Sequence, residues 1–79
     1  MARFLLKLPK LAVSMQEGTI VEWHVEDGDT VTVGQKLYDV EGDKTTFEVE
    51  SPADGIVKPL FKKGESVAVG IAVVELQSH

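Results

Sequence analysis

Seventy-nine residues with no cysteine and a formal net charge of −5 describe a small acidic chain. That length predicts one domain over residues 1–79, burying only about 60% of its unfolded surface. The composition excludes a disulfide frame and thiol chemistry, and the acidic balance argues against nucleic-acid binding, which shows a basic face. His24 and His79 are too far apart in the chain to suggest a metal site. No apolar run approaches the roughly 20 residues of a membrane span. The opening Met-Ala-Arg-Phe-Leu-Leu-Lys-Leu has too short an apolar part for a signal peptide and predicts a first β-strand.

In chain order, residues 3–8 read as a strand stopped by Pro9, and residues 10–17 as a loop. Ile20, Val21, Trp23 and Val25 are β-formers and predict a strand over 19–25. Glu26-Asp27-Gly28-Asp29 is a turn, after which Val31 and Val33 lead to Gly34. Residues 36–41 and 45–51 form a hairpin about Gly42-Asp43-Lys44, because Gly42 and Asp43 are turn formers. Pro52-Ala53-Asp54-Gly55 turns the chain again. A strand follows over 56–61, where Pro59 requires an edge or a bulge. Lys62-Lys63-Gly64-Glu65 is the next turn, Val67 and Val69 precede Gly70, and the last strand covers 71–76. No stretch carries helical periodicity, so the class is all-β.

The chain repeats itself. Residues 20–34 align without gaps on 56–70, matching Ile20/Ile56, Val21/Val57, Gly28/Gly64, Val31/Val67, Val33/Val69 and Gly34/Gly70. Two copies predict two interlocked halves about a pseudo-two-fold axis rather than a solenoid. Phe4 and Pro9 match Phe47 and Pro52 at a longer offset. By that symmetry the two chain ends together mirror the Lys44 hairpin, so Lys44 is expected at one end and both termini at the other. The link from Pro9 to Ile20 is seven residues longer than its counterpart from Pro52 to Ile56. The extra loop is expected at the Lys44 end.

With these features in hand, the sequence resembles a lipoyl domain of the acyltransferase component of a 2-oxo acid dehydrogenase complex, within the biotinyl/lipoyl-attachment family. The resemblance rests on Leu8-Pro9-Lys10-Leu11, on Met15-Gln16-Glu17-Gly18-Thr19-Ile20-Val21-Glu22-Trp23, and on Glu26-Asp27-Gly28-Asp29-Thr30-Val31 with Gly34 and Leu37. Glu41-Gly42-Asp43-Lys44-Thr45 and Gly55, Gly64, Val67 and Gly70 complete it. Gly42 and Thr45 depart from the family's usual Thr before, and Ala or Val after, the Asp-Lys pair.

The resemblance implies a flattened β-barrel or sandwich of two four-stranded antiparallel sheets. It implies lipoic acid in amide linkage on Lys44, with Asp43 and Thr45 as flanking recognition residues. The implied partners are a thiamine-diphosphate-dependent 2-oxo acid decarboxylase, an acyltransferase catalytic domain, dihydrolipoamide dehydrogenase, and a lipoate ligase or lipoyl transferase. The chain itself is then a non-catalytic carrier, cytoplasmic in a bacterium or in the mitochondrial matrix of a eukaryote. No Ser, Cys or His stands in a nucleophile arrangement.

Two alternatives stay open on the residues alone. A biotin carrier also modifies a hairpin lysine, but usually brackets it with Met, where Asp43 and Thr45 stand. An unmodified barrel could serve as a binding module. Trp23 reads as core or half-buried support, His24 as a surface strand residue and Lys62-Lys63 as a solvated turn. In the extra loop, Leu11, Val13 and Met15 alternate with smaller or polar residues. They either offer a partner an apolar contact or cover the end of the barrel.

Overall fold

The computed structural model describes residues 3–10, 14–42 and 45–78. Eight strands follow one another: β1 (Arg3–Lys7), β2 (Glu17–Trp23), β3 (Thr30–Val31), β4 (Lys36–Gly42), β5 (Thr45–Glu50), β6 (Gly55–Pro59), β7 (Ser66–Ala68) and β8 (Ala72–Gln77). They build two antiparallel four-stranded sheets, ordered β1-β8-β6-β3 and β5-β4-β2-β7. No helix occurs among the described residues.

The second order is the first with each strand replaced by its counterpart in the other half. β5 stands for β1, β4 for β8, β2 for β6 and β7 for β3. Each half lends its short strand to the other half's sheet: β3 pairs with β6, and β7 with β2. The halves are therefore interlocked, as the repeat predicts. Neither sheet is complete without a strand from the other half.

The turns repeat as closely as the strands. Gly28 and Gly64 have φ of 91° and 92°, a region costly for any residue with a Cβ. Asp29 N donates to Glu26 O, and Glu65 N to Lys62 O, closing the same tight turn in both halves. The longer offset also holds. Leu8 N donates to Ile71 O as Ser51 N does to Gln35 O.

One detail of the gap-free alignment is corrected. In β2 the buried residues are Gly18 and Ile20; in β6 they are Gly55 and Val57. Ile20 thus corresponds to Val57, and the match of Ile20 to Ile56 is one residue out. The register between β2 and β4 jumps from Ile20↔Val40 to Glu22↔Asp39, leaving Val21 as the extra residue of a bulge. Beyond the bulge the 36-residue offset returns, with His24 N on Leu37 O and Leu60 N on Val73 O.

Ile20, Val31, Leu37, Val40, Val57, Val67, Val73, Val74 and Leu76 are buried between the sheets, with Leu8, Met15, Val25 and Tyr38. Each such aliphatic side chain contributes about 1.5–3 kcal/mol by leaving water. Pro59 pairs with Val74 on one side. On the other side β3 reaches only Gly55 and Ile56, so the proline's missing N–H falls on a locally open edge.

Candidate cofactor-attachment site

The β4–β5 hairpin positions the candidate lysine. Its pairing runs from Lys36↔Glu50 through Val40↔Phe47 to Gly42↔Thr45. The last pair leaves a two-residue connection, Asp43 and Lys44. Both lie outside the described residues, as do Leu11 and Val13 of the extra loop. The ladder that carries the connection is well anchored. Tyr38 and Val40 on β4 are buried, and Phe47 and Val49 on β5 pack against the core. Thr45 and Thr46, the first residues of β5, are exposed.

The outer face of this sheet is acidic and ordered. Glu22, Asp39 and Glu48 stand side by side across β2, β4 and β5. Like charges directly opposite one another destabilise a sheet. Each of the three is met by a separate nitrogen. Lys63 Nζ lies 3.3 Å from Glu22 Oε2, His24 Nε2 lies 2.9 Å from Asp39 Oδ1, and Lys36 Nζ lies 2.7 Å from Glu48 Oε2. The hydrogen bond to Glu48, then its charge, raises the Lys36 pKa above its usual value. Glu41 and Glu50 make no ion pair among the described residues.

This arrangement was not legible in the sequence, because Glu22, Asp39 and Glu48 become neighbours only once the strand register is known. His24, expected as a surface residue, is indeed partly exposed, and Lys63 of the expected solvated turn reaches across to Glu22.

Behind the acidic row lies an aromatic pair. Trp23 is partly buried against the core, and its ring centroid is 5.1 Å from that of Tyr38 at a 50° tilt. Burial pushes the Tyr38 phenol up to about 12. Neither the Tyr38 hydroxyl nor Trp23 Nε1 has a hydrogen-bond partner among the described residues.

Of the loop residues, Met15 is the one described, and it is buried, 3% exposed. It lies under the root of the hairpin. A Cβ built on Gly42 would stand 2.9 Å from Met15 Cε and 3.0 Å from its Sδ. As a surface contact for a partner, Met15 is therefore corrected: it covers the end of the sandwich. The described end of the loop does reach the hairpin end of the molecule, as the symmetry predicts.

Arg3 and Gln77, near the two ends of the described chain, face each other at the equivalent place in the other sheet. Between the two places, β5 carries the chain away from Thr45 for six residues, about 20 Å. Four further residues bring it to Gly55, where a Cβ would stand 2.7 Å from Gln77 O. The molecule measures 36 Å along its long axis and 19 Å across.

Comparisons with known proteins fit this architecture. Residues 5–76 match the Biotin_lipoyl family, described as biotin-requiring enzyme. The chain is 41% identical over 69 residues to a dihydrolipoyllysine-residue succinyltransferase component of a 2-oxoglutarate dehydrogenase complex from Staphylococcus saprophyticus. It is 36% identical over 78 residues to the lipoamide acyltransferase component of a branched-chain alpha-keto acid dehydrogenase complex from Pseudomonas aeruginosa. The matches cover 86% and 98% of this chain but only 16% and 18% of those relatives. The solution structure of the lipoyl domain of the 2-oxoglutarate dehydrogenase complex from Azotobacter vinelandii superimposes with a TM-score of 0.78 at 29% identity. It covers 94% of this chain and 95% of that one. The chain belongs to the biotin/lipoyl-attachment family and has the fold of a lipoyl domain.

Proposed function

We propose that this chain is a lipoyl carrier of a 2-oxo acid dehydrogenase complex, with lipoic acid in amide linkage on Lys44 Nζ. The observation that carries the reading is that Lys44 is the one lysine in the two-residue connection of the β4–β5 hairpin, in a chain of this family. The relatives' names speak of dihydrolipoyllysine and lipoamide, which favours lipoate over biotin. The described residues fit such a group. Thr45 and Thr46, which open the strand after the connection, are exposed.

Bound lipoate supplies a dithiolane that can be reduced, hold an acyl group as a thioester, and be oxidised again. The protein's own part is mechanical and electrostatic. A paired hairpin on a packed sheet carries the attachment point, and tethering raises the arm's effective concentration at each active site. A lysine amine is ordinarily charged at neutral pH, so the attaching enzyme must remove a proton from Nζ. Acylation then removes one positive charge, taking the formal net charge from −5 to −6.

The partners on this reading are a thiamine-diphosphate-dependent 2-oxo acid decarboxylase that acylates the arm, an acyltransferase domain that receives the acyl group, and dihydrolipoamide dehydrogenase, which reoxidises the dithiol. A lipoate ligase or lipoyl transferase attaches the group, with Asp43 and Thr45 as the flanking residues it reads. Intact mass after incubation with lipoate, ATP and lipoate ligase tests the proposal. One lipoyl adduct that maps to Lys44 supports it. A biotinyl adduct formed by biotin ligase, or no adduct, overturns it.

A further inference from the structure

The segment that breaks the pseudo-two-fold symmetry delivers one described side chain into the interior, Met15, and delivers it beneath Gly42. We infer that Met15 is a positioning residue for modification: it fills the space under the hairpin root and so fixes where Gly42 and Thr45 hold the connection that bears Lys44. The inference rests on the lipoyl reading above.

The contacts are specific. Positions where a Cβ on Gly42 would sit lie 2.9 Å from Met15 Cε, 3.0 Å from Sδ and 3.3 Å from Cγ, and a Cβ on Gly18 would lie 3.0 Å from Cε. Gly18 and Gly42 are both buried, on adjacent strands joined by Thr19↔Glu41. The thioether therefore lies against β2 and β4 on the inner face, in room that Gly42 leaves by lacking a side chain, while at Gly18 the Val40 side chain comes closer than Met15 does. A long unbranched side chain suits such an irregular gap. The loop is held where it delivers this side chain, since Val69 N donates to Gln16 O at 2.9 Å.

The repeat provides an internal comparison. Gly55 is the counterpart of Gly18. There a Cβ would meet Gln77 O and the Leu76 side chain, and of the short turn from Pro52 to Gly55 it is the small Ala53 that packs against the core. At the hairpin end the longer loop supplies Met15 instead, whose side chain reaches Gly42. Close-packed sites hold their neighbours to fractions of an ångström, and a displacement of about 1 Å at a reacting group can cost ~100-fold in rate.

The test is the rate of lipoate attachment by lipoate ligase, followed by intact mass, alongside thermal unfolding of the same samples. Wild type is compared with Met15→Ala, Met15→Leu, and Met15→Ala combined with Gly42→Thr, which refills the space from the strand. Met15→Val replaces Met15→Ala if the latter does not fold. Folded Met15→Ala is expected to be modified at least ~10-fold more slowly in kcat/KM, with Met15→Leu and the double variant recovering most of the loss. Modification of folded Met15→Ala at the wild-type rate overturns the inference. So does a double variant that regains its Tm but not its modification rate. Failure of wild type to accept lipoate is a separate result, which removes the lipoyl reading itself and this inference with it.

Discussion

Ile20 of β2 and Val57 of β6 are structural counterparts: Gly64 N donates to Ile20 O at 2.6 Å, and Gly28 N donates to Val57 O at 2.9 Å. Ile56, which the gap-free repeat sets against Ile20, faces outward. A slip of one residue in a strand moves a side chain from the core to the surface. Ile20→Ala should accordingly cost about 2–5 kcal/mol and Val57→Ala on the order of 2. Ile56→Ala should cost under about 1 kcal/mol. Urea unfolding with unchanged m-values checks the order, and a larger loss for Ile56→Ala than for Val57→Ala would contradict this register.

The Tyr38 hydroxyl, which has no partner among the described residues, predicts a tolerant site and a pH effect. Removing such a buried hydroxyl forfeits no hydrogen bond to them, so Tyr38→Phe should be neutral or slightly stabilising near pH 7. The phenol's folded pKa is raised to about 12, against an unfolded value of about 10. The folded state therefore retains a proton that the unfolded chain releases. The corresponding stability is fully present below the unfolded pKa and is lost as pH rises from there through the folded value, on the order of 2 kcal/mol in all. Unfolding curves at pH 7, 10 and 11.5 should show this fall in wild type, over and above whatever Tyr38→Phe shows.

Lys44→Ala should abolish attachment and leave stability within about 0.5 kcal/mol of wild type. The other six lysines should remain unmodified. Peptide mapping and a thermal melt together decide it. A strongly destabilised Lys44→Ala would assign the lysine a structural role instead.

The loop residues are expected to divide. Met15→Ser places a hydroxyl in the core beneath Gly42 and should cost on the order of 3 kcal/mol. Leu11→Ser tests the partner contact, and it should lower kcat/KM for acylation by the cognate decarboxylase about tenfold, or about 1.4 kcal/mol. Lipoate attachment at Lys44 should continue in that variant. Unchanged acylation in well-folded Leu11→Ser would move recognition elsewhere, with the acidic strands of the hairpin next in line.

Labels at residues 2, 44 and 78 should report the first and last positions close together and both far from 44. This follows from Arg3↔Gln77 and from the length of β5 between the two ends. A short distance from 44 to either end would break the pseudo-two-fold layout.

What the sequence by itself determined was whatever is local or repeated. Gly28 with Asp29 and Gly64 with Glu65 announce their turns, and runs rich in β-formers announce the strands. The repeat announces two interlocked halves, and the family motif singles out Lys44 between Asp43 and Thr45. The tertiary structure alone decided what depends on register across strands distant in sequence. The bulge at Val21 shifts Ile20 onto Val57, and no local signal distinguishes Ile56 from Val57, both β-branched and apolar. Glu22, Asp39 and Glu48 form a row because β2, β4 and β5 align them, and their cations come from Lys63, His24 and Lys36. Met15 could have faced a partner or the core. It turns inward because Gly42, distant in sequence, leaves room for it beneath the hairpin root.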